Sequence, residues 1–139
     1  MGRVTAKIKV ENMVDYLLSK RGEMPSEQAR FLEVDEALVD TGATLLCLRH
    51  EQITRLGLAP LEIRKAQTAS GPVERQVYTG AMLTIMGRTC STDVMEIPED
   101  APVLIGYLAL EGLDLQPDPK SQKVIPNPAH GGKFIMDLY

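Results

Sequence analysis

The chain has 139 residues, a formal net charge of −4 and a pI near 5.2, with two Phe, four Tyr and no Trp. An acidic balance with Lys and Arg scattered excludes the sequence-independent attraction that drives nucleic-acid binding or adhesion to anionic membranes. The length fits one domain, residues 1–139, able to bury a Leu, Ile, Val and Met core without disulfide or metal staples. Residues Val4 to Val10 alternate at period two, with Val4, Ala6, Ile8 and Val10 on one face, which predicts a half-buried strand. Asn12 to Leu18 carries an Asn cap candidate and apolar residues at helical spacing, then breaks at Gly22 and Pro25, so a short helix or a helical loop is expected there. From Ala29 to Val39 the pattern returns to strand, Phe31 to Val39 being apolar with alternating charges.

That strand runs into Asp40-Thr41-Gly42, followed by Ala43-Thr44. A strand ending in Asp buries its apolar neighbours and leaves the carboxyl at its tip. Thr41 is suited to tie the turn with its hydroxyl, and Gly42 to let another backbone approach closely. Thr44 to Leu48 is extended and apolar, and Arg49 to Leu56 predicts a helical turn ended by Gly57, with Pro60 closing the segment. Strands are expected at Glu62–Thr68, Val73–Met86 and Thr89–Glu96, joined by turns at Ser70-Gly71-Pro72 and Gly87-Arg88. Val103 to Gly106 is a further apolar strand, and Tyr107 to Glu111 begins a helix stopped near Gly112. A turn at Asp118–Ser121, a short strand at Lys123–Ile125 and a final strand from Phe134 to Tyr139 complete the chain. Short strands separated by turns predict a mainly β fold, a small barrel or sandwich with one or two short helices.

Cys47 and Cys90 are far apart and form neither a CxxC pair nor a disulfide-rich pattern, which places the chain in a reducing, cytoplasmic compartment. The N-terminus alternates where a secretory leader would be continuously apolar. Ala6 occupies the position where a myristoylation signal wants Ser or Thr. No apolar run approaches the roughly 20 residues that span a bilayer. His50 and His130 stand alone, so no metal site is expected, and both read as surface or capping residues. Cys47 reads as an inert buried thiol, Cys90 has no activating partner nearby, and Glu96, Glu99 and Asp100 beside Pro98 read as a solvated loop.

An isolated Asp-Thr-Gly arises by chance in roughly one chain of this length in several tens, and most such triplets are simple turns. Here it follows an apolar strand and is matched some sixty residues later by Leu104-Ile105-Gly106, which leads into a helix. In order and spacing, residues from about Val34 to Asn127 resemble the retroviral-type, or retropepsin-like, aspartic proteases and their prokaryotic relatives.

The resemblance implies an all-β acid-protease barrel acting as a two-fold homodimer without cofactor or metal. Asp40 would be the catalytic residue, Thr41 and Gly42 the rest of its turn, and Leu104, Ile105 and Gly106 its supporting core. Gly42, Ala43 and the hairpin tip Ser70-Gly71, standing for the flap, would contact an extended peptide. Ser-Gly-Pro is also an ordinary hairpin turn, and this hairpin lacks the Gly-rich tip of retroviral enzymes. The mechanism needs two carboxylates sharing a proton, whereas the chain has one motif, so the second Asp40 would come from a second copy. The implied activity is peptide-bond hydrolysis. The alternative is a peptide-binding or dimerisation module that keeps the fold without hydrolysis.

Overall fold

The computed structural model describes residues 3–138; Met1, Gly2 and Tyr139 lie outside the described residues. Its strands are β1 (Thr5–Asn12), β2 (Phe31–Val39), β3 (Leu46–Arg49), β4 (Ala59–Thr68), β5 (Gly71–Ile85), β6 (Arg88–Ile97), β7 (Leu104–Ile105), β8 (Leu115–Asp118) and β9 (Lys123–Pro126). Three helices join them: α1 (Met13–Lys20), α2 (His50–Leu56) and α3 (Tyr107–Leu113), together with two single 3-10 turns. The expectation of one or two helices is thereby corrected to three.

Seven strands form one sheet in the order β1-β2-β7-β3-β6-β5-β4, and β5 also pairs with β1. That extra pairing, Lys9↔Thr84 to Asn12↔Ala81, closes β1, β2, β7, β3, β6 and β5 into a ring and leaves β4 outside it. Closure removes the open edges of the ring itself, while β4 keeps one unpaired edge. The ring is filled by the inward half of each alternating strand, including Ile8, Val10, Leu46, Leu48, Leu83, Ile85 and Val94, all buried. β4 and the distal part of β5 project as a hairpin, and β4 is exposed along nearly its whole length. β8 and β9 make a separate antiparallel pair after α3.

Polar staples fix the helices to this ring. Asn12 caps α1 by accepting from the Asp15 backbone N–H at 3.0 Å, while its own Nδ2 donates to the Leu56 carbonyl at 2.8 Å. Asp15, buried in the first turn of α1, accepts from Arg30 Nε at 2.8 Å, Nη2 at 3.1 Å and the backbone N–H at 2.9 Å. The hydrogen bonds from Arg30 hold its carboxyl below the usual carboxylate range. Gly57, in the left-handed region at φ +65°, lies directly beneath the Arg30 guanidinium, where a Cβ would sit 2.0 Å from Nη1. Asp15→Ala is expected to destabilise the fold by about 1–3 kcal/mol, because it strands the Arg30 backbone N–H as well as the guanidinium. Urea unfolding of the two proteins measures that difference directly.

Residues 134–138 have no regular structure, against the strand expected from Phe134 to Tyr139. The segment is held by side chains instead of a ladder. Asp114, buried at the end of α3 with φ 55°, accepts from Asn127 Nδ2 at 3.1 Å, His130 Nδ1 at 2.6 Å and the Ile135 backbone N–H at 3.1 Å. Arg88 Nη2 donates to the Gly132 carbonyl at 2.9 Å, and its guanidinium lies 4.9 Å from the centre of the Phe134 ring. His130 is therefore a half-buried anchor for the tail, bonded to Asp114 and not isolated as expected.

The Asp114 hydrogen bond raises the His130 pKa above the ordinary 6.5, and the same contact lowers that of Asp114 below the ordinary 3.8. The raised His130 supports docking fully below 6.5, and that support is lost as pH climbs through its folded value. The lowered Asp114 supports docking above 3.8 and loses it as pH falls through its folded value. Docking of residues 127–138 is thus expected to be tightest between these limits. Limited proteolysis of this segment across pH should be slowest in that window, and His130→Gln should flatten the alkaline limb.

Candidate active site

The site is built where β2 ends. β7 inserts between β2 and β3, running parallel to β2 through Leu38↔Leu104 and Val39↔Ile105 and antiparallel to β3 through Cys47↔Leu104. The Asp40 backbone N–H donates to the Ile105 carbonyl at 3.0 Å, which pins the first residue of the turn to the fully buried end of β7. The turn then closes on itself, with Ala43 N–H donating to the Asp40 carbonyl at 3.0 Å and Gly42 N–H donating to Asp40 Oδ1 at 2.9 Å. One carboxylate oxygen is thereby oriented by backbone. Among the described residues Oδ2 has no hydrogen-bond donor.

α3 grips the far side of the same turn. Tyr107 N–H donates to the Ala43 carbonyl at 2.9 Å and Leu108 N–H to the Thr44 carbonyl at 3.2 Å. This crossing is possible because residue 106 is glycine: a Cβ there would lie 2.5 Å from both Thr44 C and Leu45 O. The close backbone approach expected at Gly42 is therefore found at Gly106. At Gly42 a Cβ would meet only the Asp40 carboxylate, at 3.1 Å. Nor does the Thr41 hydroxyl tie the turn. The Asp40 carboxylate does so, and Thr41 is exposed to solvent.

Asp40, Gly42 and Ala43 share a cleft of about 470 Å³ with Leu104. The β4–β5 hairpin forms its roof through Lys65–Thr68, Val73 and Arg75, and Met95, Ile97 and Pro98 line a further wall. The hairpin turn itself is Ala69-Ser70, between the paired residues Thr68 and Gly71, and it is tied by Thr68 Oγ1 donating to the Gly71 carbonyl at 2.7 Å. Ser70 and Gly71 are outside the lining of the cleft, so within one chain the hairpin legs and not its tip stand over Asp40. The lining contributed by Val73, Arg75 and Met95 escaped sequence reading. The alternation Val73, Arg75, Val77 was its signal, a single cation in an otherwise apolar strand face.

Cys47 is buried beside the turn, and its thiol is pushed up to about 11 by burial and then by the negative charge of Asp40. It is a packing residue that stays protonated at neutral pH. Glu96, expected in a solvated loop, lies in β6 and accepts from Tyr78 OH at 2.9 Å while pairing with His50 Nδ1 at 3.0 Å. Among the described residues no three His, Cys, Asp or Glu side chains converge in a metal-ligand set. A wider groove of about 720 Å³ lies between β1, β2 and the β8–β9 hairpin, with Lys7, Asp35, Glu36 and Lys123 around it and Asp40 elsewhere.

Residues 33–112 match the model of the family described as "gag-polyprotein putative aspartyl protease", a stretch that runs from β2 through the Asp40 turn and the hairpin to α3. The chain belongs to this retroviral-type aspartyl protease family. No curated protein matches it. The region matched to the retroviral-type proteases contains the three parts just described: Asp40-Thr41-Gly42, the β4–β5 hairpin over it and Leu104-Ile105-Gly106 beneath it. α1, β8, β9 and the segment anchored on Asp114 lie outside the match. No helix is long and apolar enough to cross a membrane among the described residues.

Proposed function

We propose that residues 1–139 form a single retropepsin-like domain, two copies of which make an aspartic endopeptidase. The observation that carries this reading is the Asp40 carboxylate, held by the Gly42 N–H on one oxygen, in the wall of a cleft roofed by the β4–β5 hairpin. A second Asp40 across a two-fold axis would share a proton with the first, since two adjacent carboxylates cannot both ionise. The ionised member takes a proton from water as the water oxygen bonds to the peptide carbonyl carbon, and the protonated member gives its proton to the carbonyl oxygen. The member that took the water proton then gives it to the amide nitrogen as the C–N bond breaks, while the other member takes a proton from a hydroxyl of the tetrahedral diol, which leaves a carboxylic acid and an amine and returns the pair to its starting state.

The Thr41 hydroxyl, exposed in the single chain, is assigned to the contact between the two turns. The Gly42 carbonyl, Ala43 and the hairpin backbone are assigned to the extended substrate, and Ser70 and Gly71 to closure over it when the two hairpins meet. Two free cysteines support a cytoplasmic setting. Sedimentation analysis of the active protein tests the quaternary claim, because a species that cleaves peptides while strictly monomeric would have no second Asp40. Screening a peptide library with the wild type and with Asp40→Asn separates hydrolysis from the binding-only alternative.

A further inference from the structure

The hairpin over Asp40 has two unlike faces. Its register sets Ala66 opposite Val73 and Arg64 opposite Arg75, so Val73, Arg75 and then the buried Val77 follow one another on a single face of β5. Val73 and Arg75 both line the cleft, which makes that face the underside of the roof. Lys65 also borders the cleft but stands opposite Glu74, on the other face.

Arg75 is half-buried, and its guanidinium is underused. It donates one hydrogen bond, from Nη1 to the Glu74 carbonyl at 3.3 Å, and none of the described carboxylates makes an ion pair with it. Glu96 feels its charge but is already bonded to His50 and Tyr78. Asp40 is the only acid in the cleft lining, and its charge is committed to catalysis in the reading above. Met95, Ile97 and Leu104 present apolar surface across from the roof, while the polar lining comes from Thr44 and from Lys65, Gln67 and Thr68 of β4. A planar fork of donors beside apolar surface, lacking a carboxylate of its own, is matched by an aliphatic side chain ending in a carboxylate.

We infer that Arg75 is a specificity residue that selects peptides carrying an acidic side chain, Glu above Asp, next to the scissile bond. The inference rests on the protease reading and names its substrate class. In a two-fold dimer the two Arg75 side chains flank the Asp40 pair, so an acid on either side of the bond is accepted. Arg75 binds and orients; it moves no proton.

The test uses end-blocked peptides that differ only in Glu, Gln or Lys beside the cleaved bond, with a parallel set bearing a free C-terminal carboxylate. The wild type should cleave the Glu peptide with kcat/KM about tenfold or more above the Gln peptide, the difference residing in KM and shrinking as salt rises. Arg75→Glu should invert the order in favour of Lys, Arg75→Gln should level it, and Arg75→Lys should keep part of it. Binding of the same peptides to the Asp40→Asn protein, followed by fluorescence anisotropy, should show the same order without turnover. Asp40-dependent cleavage that ignores the Glu/Gln exchange, or a preference that Arg75→Glu and Arg75→Gln leave unchanged, overturns the inference while the protease reading stands. A preference for the free C-terminus over any side chain also overturns it, since the carboxylate read would then be terminal. Charge-selective binding that depends on Arg75, with no cleavage of any peptide, retains the assignment and overturns the protease reading. Absence of both binding and cleavage overturns both.

Discussion

Asp40→Asn is expected to lower peptide cleavage at least about 10³-fold while leaving the fold and the proposed dimer intact. The substitution keeps an oxygen for the Gly42 N–H, which Asp40 Oδ1 engages at 2.9 Å, so the turn retains its tie. What it removes is a group able to carry a proton in either direction, and general acid–base transfer alone contributes about 10²–10⁴. In the proposed dimer both acids would be lost together, because one codon encodes both. Mixing supplies a sharper measurement. If each active unit needs two intact copies, replacing half the chains by Asp40→Asn under freely exchanging conditions should leave about a quarter of the activity, whereas independent monomers would keep about half. A linear decline with the mutant fraction would refute the shared site.

The second large effect is expected at a residue that touches no substrate. Gly106→Ala should destabilise the protein by about 2–4 kcal/mol and lower its midpoint of thermal unfolding by about 10 °C, with a parallel loss of cleavage. The backbone there has φ −82°, accessible to any residue, so the penalty is purely steric. The added methyl would sit 2.5 Å from Thr44 C and Leu45 O and 2.6 Å from Thr44 O, all main-chain atoms that no rotamer change can move. Relief requires parting α3 from the Asp40 turn, which breaks the bonds from Tyr107 to Ala43 and from Leu108 to Thr44. Gly112→Ala is the control. Its methyl would meet Cys90 Sγ at 3.4 Å, inside α3, where alanine is favoured over glycine by about 1 kcal/mol. Equal losses from both substitutions would show that the crossing at Gly106 is not the cause.

The parts of the fold visible in the sequence were those written by local rules. Alternation marked β1 and β2, two turns separated β4, β5 and β6, and Gly57 ended α2 in the left-handed conformation that its position requires. β8 was hidden because Gln116-Pro117-Asp118 has turn chemistry, and its pairing with β9 is decided by packing after α3. The tail misled in the opposite direction. Phe134, Ile135 and Met136 look like strand formers, yet the Ile135 N–H is taken by a side-chain carboxylate and leaves no ladder to join. Contacts between distant residues left no local trace, as with Asp15 and Arg30 or Asp114 and His130. At the site, Asp40 was legible because a strand-to-glycine turn is a short-range pattern. Arg75 was not, because its meaning depends on which face of a long hairpin looks down on that turn.

The ring closes through β1 and β5 without β4, and from Ile63↔Gln76 outward the hairpin strands pair only with each other. Just inside that point both strands slip register, β4 between Pro60 and Glu62 and β5 between Tyr78 and Ala81, where Gly80 has φ +94°. The roof is thus joined to the ring through a bent joint and is held together beyond it by its own ladder of hydrogen bonds. A substitution that loosens the hairpin beyond Gln76 is therefore expected to leave the stability of the ring little changed.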